Sequence, residues 1–488
     1  MMKNITINPI TRLEGHGKIE IFLNDNFQVE RAYLQPTEFR GFEKFCEGRP
    51  AEEMPRITTR ICGVCPTAHH IASVKALDML FDVEPTATGK KLRELMYSIF
   101  VLEDHLLHFF FLGGPDFIVG PTAPKGERNI LGVLSKVGVA IGKQVISLRG
   151  ELRKILNTLG GKAIHPESAL PGGISRGINE ETRKIIEKTA EDAVKFTQFT
   201  LETFEEVVLK NKTYLELIKG DVYCDKTYYM GLVDQNKKVN FYNGNLRVVT
   251  PDGKEFASFS PVTYLDHIGE HVESWSYSKF PFLKRVGWKG FVGGDSSGIF
   301  RVGPLARFNV AEGMATPLAQ GEYEKMVQAF GQKPVHNTMA YHWARLVEAL
   351  YAAESMLELC QDPDITGREI RNLPTGLIGE GVGVVEAPRG TLIHHYKTNG
   401  NAIITDVNLI VATQNNAAAI NMSVEKAAKS LIKKDNIDDG ILNMVEMAFR
   451  AYDPCYGCAT HTLPGQFPLT IHIRNQRGEL IKKLSTAE

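Results

Sequence analysis

The sequence predicts an α+β protein that is predominantly helical, with long helices bundled at its centre and small β-sheets at its periphery. Two observations carry this. Apolar residues recur at helical spacing over several long stretches, including Leu92, Leu95, Met96, Ile99, Leu102, Leu106 and Phe109. Between and beside them lie short strand-like runs punctuated by Gly, Pro and Asn, at the N-terminus, across 222–302 and across 376–411. With 488 residues, 43% of them hydrophobic and 23% charged, the chain can bury a large core and has the composition of an ordered globular protein.

In chain order, Ile19, Phe22 and Leu23 precede the turn Asn24-Asp25-Asn26, and Val29, Ala32 and Leu34 follow it, which predicts an N-terminal hairpin or small sheet. Thr11-Arg12-Leu13-Glu14-Gly15-His16-Gly17 sits within it and reads from composition as a surface turn, with a functional Glu14 as the sharper alternative. Pro66 suits the first turn of a helix, and Ile71, Val74, Leu77 and Phe81 continue it. The Leu92 to Phe109 stretch predicts the buried central helix. His105 and His108 share one of its faces, an arrangement found in metal sites and more often in hydrogen-bonded cores.

Two further long helices are expected over 130–159 and 180–218, separated by His165-Pro166 and Pro171-Gly172-Gly173. Residues 222–302 read as a β-containing excursion, 335–359 as helix, and 376–411 as glycine-rich turns and strands. Gly379-Glu380-Gly381-Val382-Gly383 lacks the spacing of a nucleotide-binding loop and reads as a strand turn. Ile441, Met444, Val445, Ala448 and Phe449 mark a last helix that Pro454 ends, and Leu469 to Ile473 suggests a strand.

The net charge of -1 gives no global field for nucleic acid or an anionic membrane. The apolar stretch Ser98 to Leu112 is interrupted by Glu103, Asp104, His105 and His108 and falls short of the roughly 20 residues of a membrane span. Seven cysteines fit a reduced, cytoplasmic chain better than a secreted disulfide framework, and no apolar signal core follows Met1.

Four of those cysteines form two Cys-x-x-Cys pairs, Cys62/Cys65 and Cys455/Cys458, about 390 residues apart. A set of four thiolates suits zinc, an iron-sulfur cluster or another soft transition metal. Structural zinc usually holds one small module together, whereas this chain has core enough without it. A helix starting at Pro66 would favour thiolate forms of Cys62 and Cys65. Arg389 on a glycine-flanked turn and Glu14 are groups that a purely structural zinc site does not need.

Arg60-Ile61-Cys62-Gly63-Val64-Cys65 and Asp453-Pro454-Cys455-Tyr456-Gly457-Cys458-Ala459-Thr460-His461 resemble the two metal-binding motifs of nickel-iron hydrogenase large subunits. So do Arg12-Leu13-Glu14-Gly15-His16, Phe39-Arg40-Gly41-Phe42-Glu43, His108-Phe109-Phe110 and Glu386-Ala387-Pro388-Arg389-Gly390, in order along nearly the whole chain. The resemblance implies a buried nickel-iron centre that splits dihydrogen reversibly and heterolytically. It implies Cys62 and Cys455 as terminal nickel thiolates, Cys65 and Cys458 as bridging ones, and iron carrying carbon monoxide and cyanide.

By the same resemblance Glu14 is the proton relay and His69 hydrogen-bonds a bridging sulfur. Arg389 and Pro388 flank the diatomic ligands, and Thr413 hydrogen-bonds a cyanide. Glu43, the Leu409 carbonyl and His461 match a magnesium site. Residues 1–461 would form one large-subunit domain, and 462–488 an extension that a maturation endopeptidase removes after metal insertion.

Ala412, where many relatives have proline, points to the cytosolic, multi-subunit branch. Cys46, Cys224 and Cys360 are scattered and cannot hold a cluster chain, so electrons need an iron-sulfur small subunit. Flavin-containing subunits reducing a nicotinamide, a deazaflavin, ferredoxin or a heterodisulfide reductase are expected beyond it. The alternatives are a related scaffold subunit that has lost its metal and a zinc-stabilised structural protein.

Overall fold

Four long helices build the centre of the molecule. The structure, a computed structural model, describes residues 3–38, 40–434, 436–461, 470–475 and 479–485. Ahead of the helices comes an antiparallel sheet of β1 (Lys3–Ile7), β2 (Gly17–Leu23) and β3 (Val29–Pro36), in that order. Alternate residues of β2 and β3 face the core, as period-two patterning requires. Phe39 lies outside the described residues.

Helix α1 (Pro66–Leu80) begins on Pro66 as expected, with Cys65 at its cap position. Helix α2 (Ala87–Leu107) is capped by Thr86, whose hydroxyl accepts from Gly89 N–H. It continues as a π-helical turn over His108–Gly113. That continuation corrects the length expected from sequence: Ala87–Ile118 is long and apolar enough to cross a membrane, but 83% of its apolar window is buried inside the protein. It is a core element.

The two helices expected next are both interrupted. Residues 130–159 divide at Gly138, whose φ of 91° no helix accommodates, into Ile130–Val137 and α3 (Val139–Gly160). Residues 180–218 divide into α4 (Glu180–Phe204), a π-helical turn at Glu205–Leu209, and a short helix Lys212–Lys219 capped by Asn211. Helix α5 (Ala340–Gln361) packs against α2 and α4 and is buried along most of its length. It starts five residues later than expected because Asn309 takes up both backbone groups of Val335, at 2.8 and 2.9 Å.

Residues 222–302 form the expected β excursion. Strands β4 (Tyr228–Val233), β5 (Asn245–Val249), β6 (Glu255–Phe259) and β7 (Phe300–Arg301) make one sheet in the order β7-β4-β5-β6. Strands β8 (Glu380–Ala387), β9 (Gly390–Thr398) and β10 (Ile404–Ile410) form an antiparallel sheet on which α1 lies. Gly379 to Gly383 is thus the entry into a strand and not a phosphate loop. Helix α6 (Ala412–Leu431), which no periodicity announced, packs on β3 and on α7 (Asp439–Arg450). In the tail, Thr470–Arg474 pairs with Leu480–Ser485, and Leu469 lies outside the described residues.

The contact between α1 and β8 positions Cys65, and it depends on two glycines. A Cβ at Gly381 would stand 2.0 Å from the Ala76 carbonyl, and one at Gly383 1.9 Å from the Ala72 carbonyl. Gly383→Ala is therefore expected to destabilise the protein by about 1–3 kcal/mol through overpacking. Gly150→Ala, in α3 with open space around it, should stabilise by about 0.5–1 kcal/mol. Opposite shifts in thermal midpoint would bear this out, and equal shifts would refute it.

Candidate metal centre

The two cysteine pairs meet in the interior. Cys62 and Cys65 sit in the turn that enters α1, where Val64 N–H and Cys65 N–H donate to Cys62 Sγ at 3.2 and 3.4 Å. Cys455 and Cys458 follow α7 through Asp453, which adopts a left-handed φ of 60°, and a four-residue helix Tyr456–Ala459. The four sulfurs are buried and lie within 4.8 Å of one another. Each pairs with a sulfur of the other motif: Cys62 with Cys455 at 3.4 Å, and Cys65 with Cys458 at 3.2 Å.

Arg40 fastens the two motifs together. Its guanidinium donates to the carbonyl of Ile61, next to Cys62, and to the carbonyl of Gly457, next to Cys458. The N-terminal segment is stitched in beside it: Tyr456 N–H donates to the Glu14 carbonyl at 3.0 Å and Arg40 N–H to the Thr460 carbonyl at 2.7 Å. The surface-turn reading of residues 11–17 is thereby corrected at Glu14. Its Oε2 accepts from the Cys455 thiol at 2.9 Å and from Gly457 N–H at 3.0 Å.

The electrostatics oppose four free charges. Hydrogen bonds from Cys455, Cys458 and Cys65 pull the Cys62 thiol well below its usual range. Burial pushes Cys455 and Cys458 well above it. Hydrogen bonds from Cys455 and Cys458 pull Cys65 down, but its bond to Cys62, burial and the Cys62 charge carry it up to about 11. The start of α1 therefore does not ionise both of its cysteines, contrary to expectation. Only a bound cation can compensate four thiolates here, so loading must release protons. Burial, then the Cys62 charge, also raises the Glu14 carboxyl.

Arg389 is buried and ion-paired with Asp104 and Asp453, at 3.1 Å to Asp104 Oδ2 and 3.2 Å to Asp453 Oδ1. Its Nε and Asp104 Oδ1 have no protein partner although both are buried. Pro388 precedes it, and its carbonyl accepts from Arg307 at 3.3 Å. The Thr413 hydroxyl accepts from Cys455 N–H at 2.9 Å, which leaves its own proton for another acceptor. His69 Nε2 is 3.5 Å from Cys458 Sγ, and burial lowers its pKa to about 4.

A second group forms around His461. Its Nε2 is 2.6 Å from the Leu409 carbonyl and 3.5 Å from Glu43 Oε1, and its Nδ1 is 2.6 Å from the Cys458 carbonyl. Burial pulls the His461 pKa down, but Glu43 and the two carbonyls hold it above its usual value. The backbone ligand Leu409 carries no side-chain signal and was reachable only by resemblance. His105 and His108 turn apart, to Glu348 at 3.0 Å and to the Arg450 carbonyl at 2.9 Å, as hydrogen-bonded core residues.

Fold and sulfur cluster together define a protein organised around a soft metal centre in its core, with a carboxylate and a guanidinium at its edge. The profile of the family described as nickel-dependent hydrogenase matches residues 40–128 and 233–461, and one described as HoxL-like matches residues 4–39. The chain belongs to the nickel-dependent hydrogenase family, as a large subunit. It is 50% identical over 99% of both chains to the iron-sulfur subunit of the F420-non-reducing hydrogenase of Archaeoglobus profundus. It is 37% identical to the NAD-reducing hydrogenase HoxS subunit beta of Cupriavidus necator, again over 99% of both chains. An NAD+-reducing [NiFe]-hydrogenase solved in the H2-reduced state superposes with a TM-score of 0.88 at 36% identity, covering 94% of this chain and 99% of that one.

The scaffold relative that has lost its metal is disfavoured by the retention of all four sulfurs in one cluster. Cys458→Ala is expected to abolish metal retention instead of merely slowing turnover. Metal analysis of the purified variant checks this, and a Cys458→Ala protein that kept nickel and iron would refute the role.

Proposed function

We propose that this hydrogenase subunit is cytoplasmic and cleaves dihydrogen reversibly into two protons and two electrons at a nickel-iron centre held by Cys62, Cys65, Cys455 and Cys458. The observation that carries the reading is the cross-pairing of the sulfurs. Cys62 and Cys455 would be the terminal nickel ligands, and Cys65 and Cys458, at 3.2 Å, the bridging pair. The donor set fits: soft thiolates suit these metals, and two unpartnered buried polar atoms, Arg389 Nε and Asp104 Oδ1, stand beside the cluster. When bound, the nickel and the iron with its carbon monoxide and cyanide ligands supply the Lewis acidity that makes dihydrogen acidic.

The chain's own residues then handle the proton. Cys455 Sγ is the base, and Glu14 Oε2, 2.9 Å away, takes the proton from it. The raised pKa of Glu14 suits it to hold a proton briefly and release it. Arg389, kept charged by Asp104 and Asp453, and Pro388 shape the pocket for the diatomic ligands, and the free Thr413 proton serves a cyanide. His69 donates to the Cys458 sulfur. Glu43, the Leu409 carbonyl and His461 would hold magnesium, a hard ion suited to oxygen ligands.

Electrons leave through an iron-sulfur small subunit to flavin- and iron-sulfur-containing partners. A relative named F420-non-reducing and another named NAD-reducing support a soluble acceptor. A maturation endopeptidase would remove residues 462–488. The family match, which ends at His461, supports that boundary.

Metal analysis and infrared spectroscopy of the mature complex test the proposal. Nickel, iron and iron-bound carbon monoxide and cyanide bands are expected, and zinc without such bands would overturn it in favour of a structural site. Glu14→Gln should keep the metals and slow exchange between dihydrogen and heavy water by about 100-fold or more, the range of a lost acid-base group. An unchanged exchange rate would remove Glu14 from the pathway. The mass of the mature chain should place its end at His461, and an active enzyme with an intact tail would disprove processing there.

A further inference from the structure

A hydrogen-bonded file of side chains leads away from Cys458 into the protein. His69 Nε2 faces Cys458 Sγ at 3.5 Å, and His69 Nδ1 is 3.0 Å from His394 Nε2. His394 Nδ1 is 2.6 Å from the Tyr396 hydroxyl, which lies 2.9 Å from Ser73 Oγ. All four residues are fully buried, so no bulk water substitutes for a missing partner. Two periodicities build the file. His69 and Ser73 are one helical turn apart on α1, and His394 and Tyr396 are two residues apart on β9, so each pair shares a face where helix and strand pack.

Each link holds one proton, so the direction of one hydrogen bond dictates the next. Two ring nitrogens 3.0 Å apart require one donor and one acceptor. A metal-bound Cys458 thiolate can only accept, so His69 must present Nε2–H to it and leave Nδ1 as an acceptor. His394 then donates from Nε2 and accepts at Nδ1. Its partner there must be the Tyr396 O–H, and 2.6 Å is a separation typical of a hydroxyl donor. Ser73, at the end, hydrogen-bonds to the Tyr396 hydroxyl and holds it in place.

We propose that Tyr396 and His394 are positioning residues that fix His69 with its Nε2–H aimed at the Cys458 sulfur, and so set how much electron density that bridging thiolate passes to the metals. The inference rests on the nickel-iron reading of Cys458 and adds to it the pair of residues that decides which ring nitrogen of His69 carries the proton. Without the Tyr396 hydroxyl the file has no terminal donor. The opposite direction becomes available, in which His69 turns an acceptor nitrogen to the sulfur.

Infrared spectroscopy of the purified complex carrying Tyr396→Phe tests this, with nickel and iron content measured alongside. Loss of the hydrogen bond makes the sulfur a stronger donor, so the iron-bound carbon monoxide band should move to lower wavenumber with both metals retained. Ser73→Ala, which leaves all three rings in place, should move it in the same direction by less. If Tyr396 served packing alone, Phe would fill its place and the band would stay. Bands at the wild-type position in both variants would overturn the proposal, and should Tyr396→Phe fail to load metal, Ser73→Ala decides. A wild-type complex without carbon monoxide bands would instead refute the hydrogenase reading itself.

Discussion

The structure depends on the grip of Arg40 on two carbonyls, those of Ile61 and Gly457. Paired sulfurs on the two motifs are 393 residues apart in sequence, so nothing local can assemble the cluster. Chain-closure entropy rises only with the logarithm of loop length, by about 0.6 kcal/mol per doubling, so the long separation is less costly than it looks. What it demands is a rigid meeting point. Charge-assisted hydrogen bonds from one guanidinium, each worth about 1.5–3 kcal/mol, supply one beside Cys62 and Cys458 together. The backbone bridge between Glu14 and Cys455 does the same from the other side, which is why the carboxylate and the sulfur arrive in register.

Around that point the interior is unusually ionic. Arg307 sits fully buried between Glu348 and Glu386, at 2.6 Å to each. Arg450 bridges Asp116 and Glu446, and Arg12 joins it on Asp116. Buried ion pairs rarely add stability over apolar residues of the same size, because desolvation opposes the attraction. Their effect here is geometric. Arg307 also donates to the carbonyls of Ala387 and Pro388, and so holds the turn from which Arg389 reaches Asp104 and Asp453. The cluster is thereby faced by a cation whose position two carboxylates determine. Burial carries Asp104 up to about 7, against the pull of Arg389.

What the sequence disclosed follows the range of the interactions involved. Pro66 as a helix start, the turn at Asn24 to Asn26, and the strand entry at Gly379 to Gly383 depend on neighbours a few residues away, and all three stand in the structure. The interruption at Gly138 was hidden because the apolar spacing continues across it on both sides. Helix α6 was hidden because its Ala, Asn and Ser residues are buried without a contrasting charged face over its first three turns. In the site, the cysteines announced themselves by spacing and Glu14 by family likeness. Arg40, Asp104, Asp453, His394 and Tyr396 had no proposed role, since their meaning lies in partners distant in sequence: Arg40 with Gly457, Asp104 with Arg389, and Tyr396 with Ser73.

The end of the cluster-bearing segment shows how charge and chain cleavage fit together. Both ring nitrogens of His461 face carbonyl oxygens at 2.6 Å, so in the uncut chain the ring satisfies both only as an imidazolium. That positive charge stands beside Glu43 and near Glu270, whose carboxyl burial pushes up. The His461 carbonyl accepts from Glu43 N–H at 3.3 Å, so cutting the following peptide bond would turn it into a carboxylate at the same place. The pocket would then hold an additional negative charge and no added positive one. A hard divalent cation between Glu43, the Leu409 carbonyl and His461 would replace the ring proton and offset the new carboxylate together. Removal of residues 462–488 and occupation of the second metal site are, on this reasoning, coupled steps.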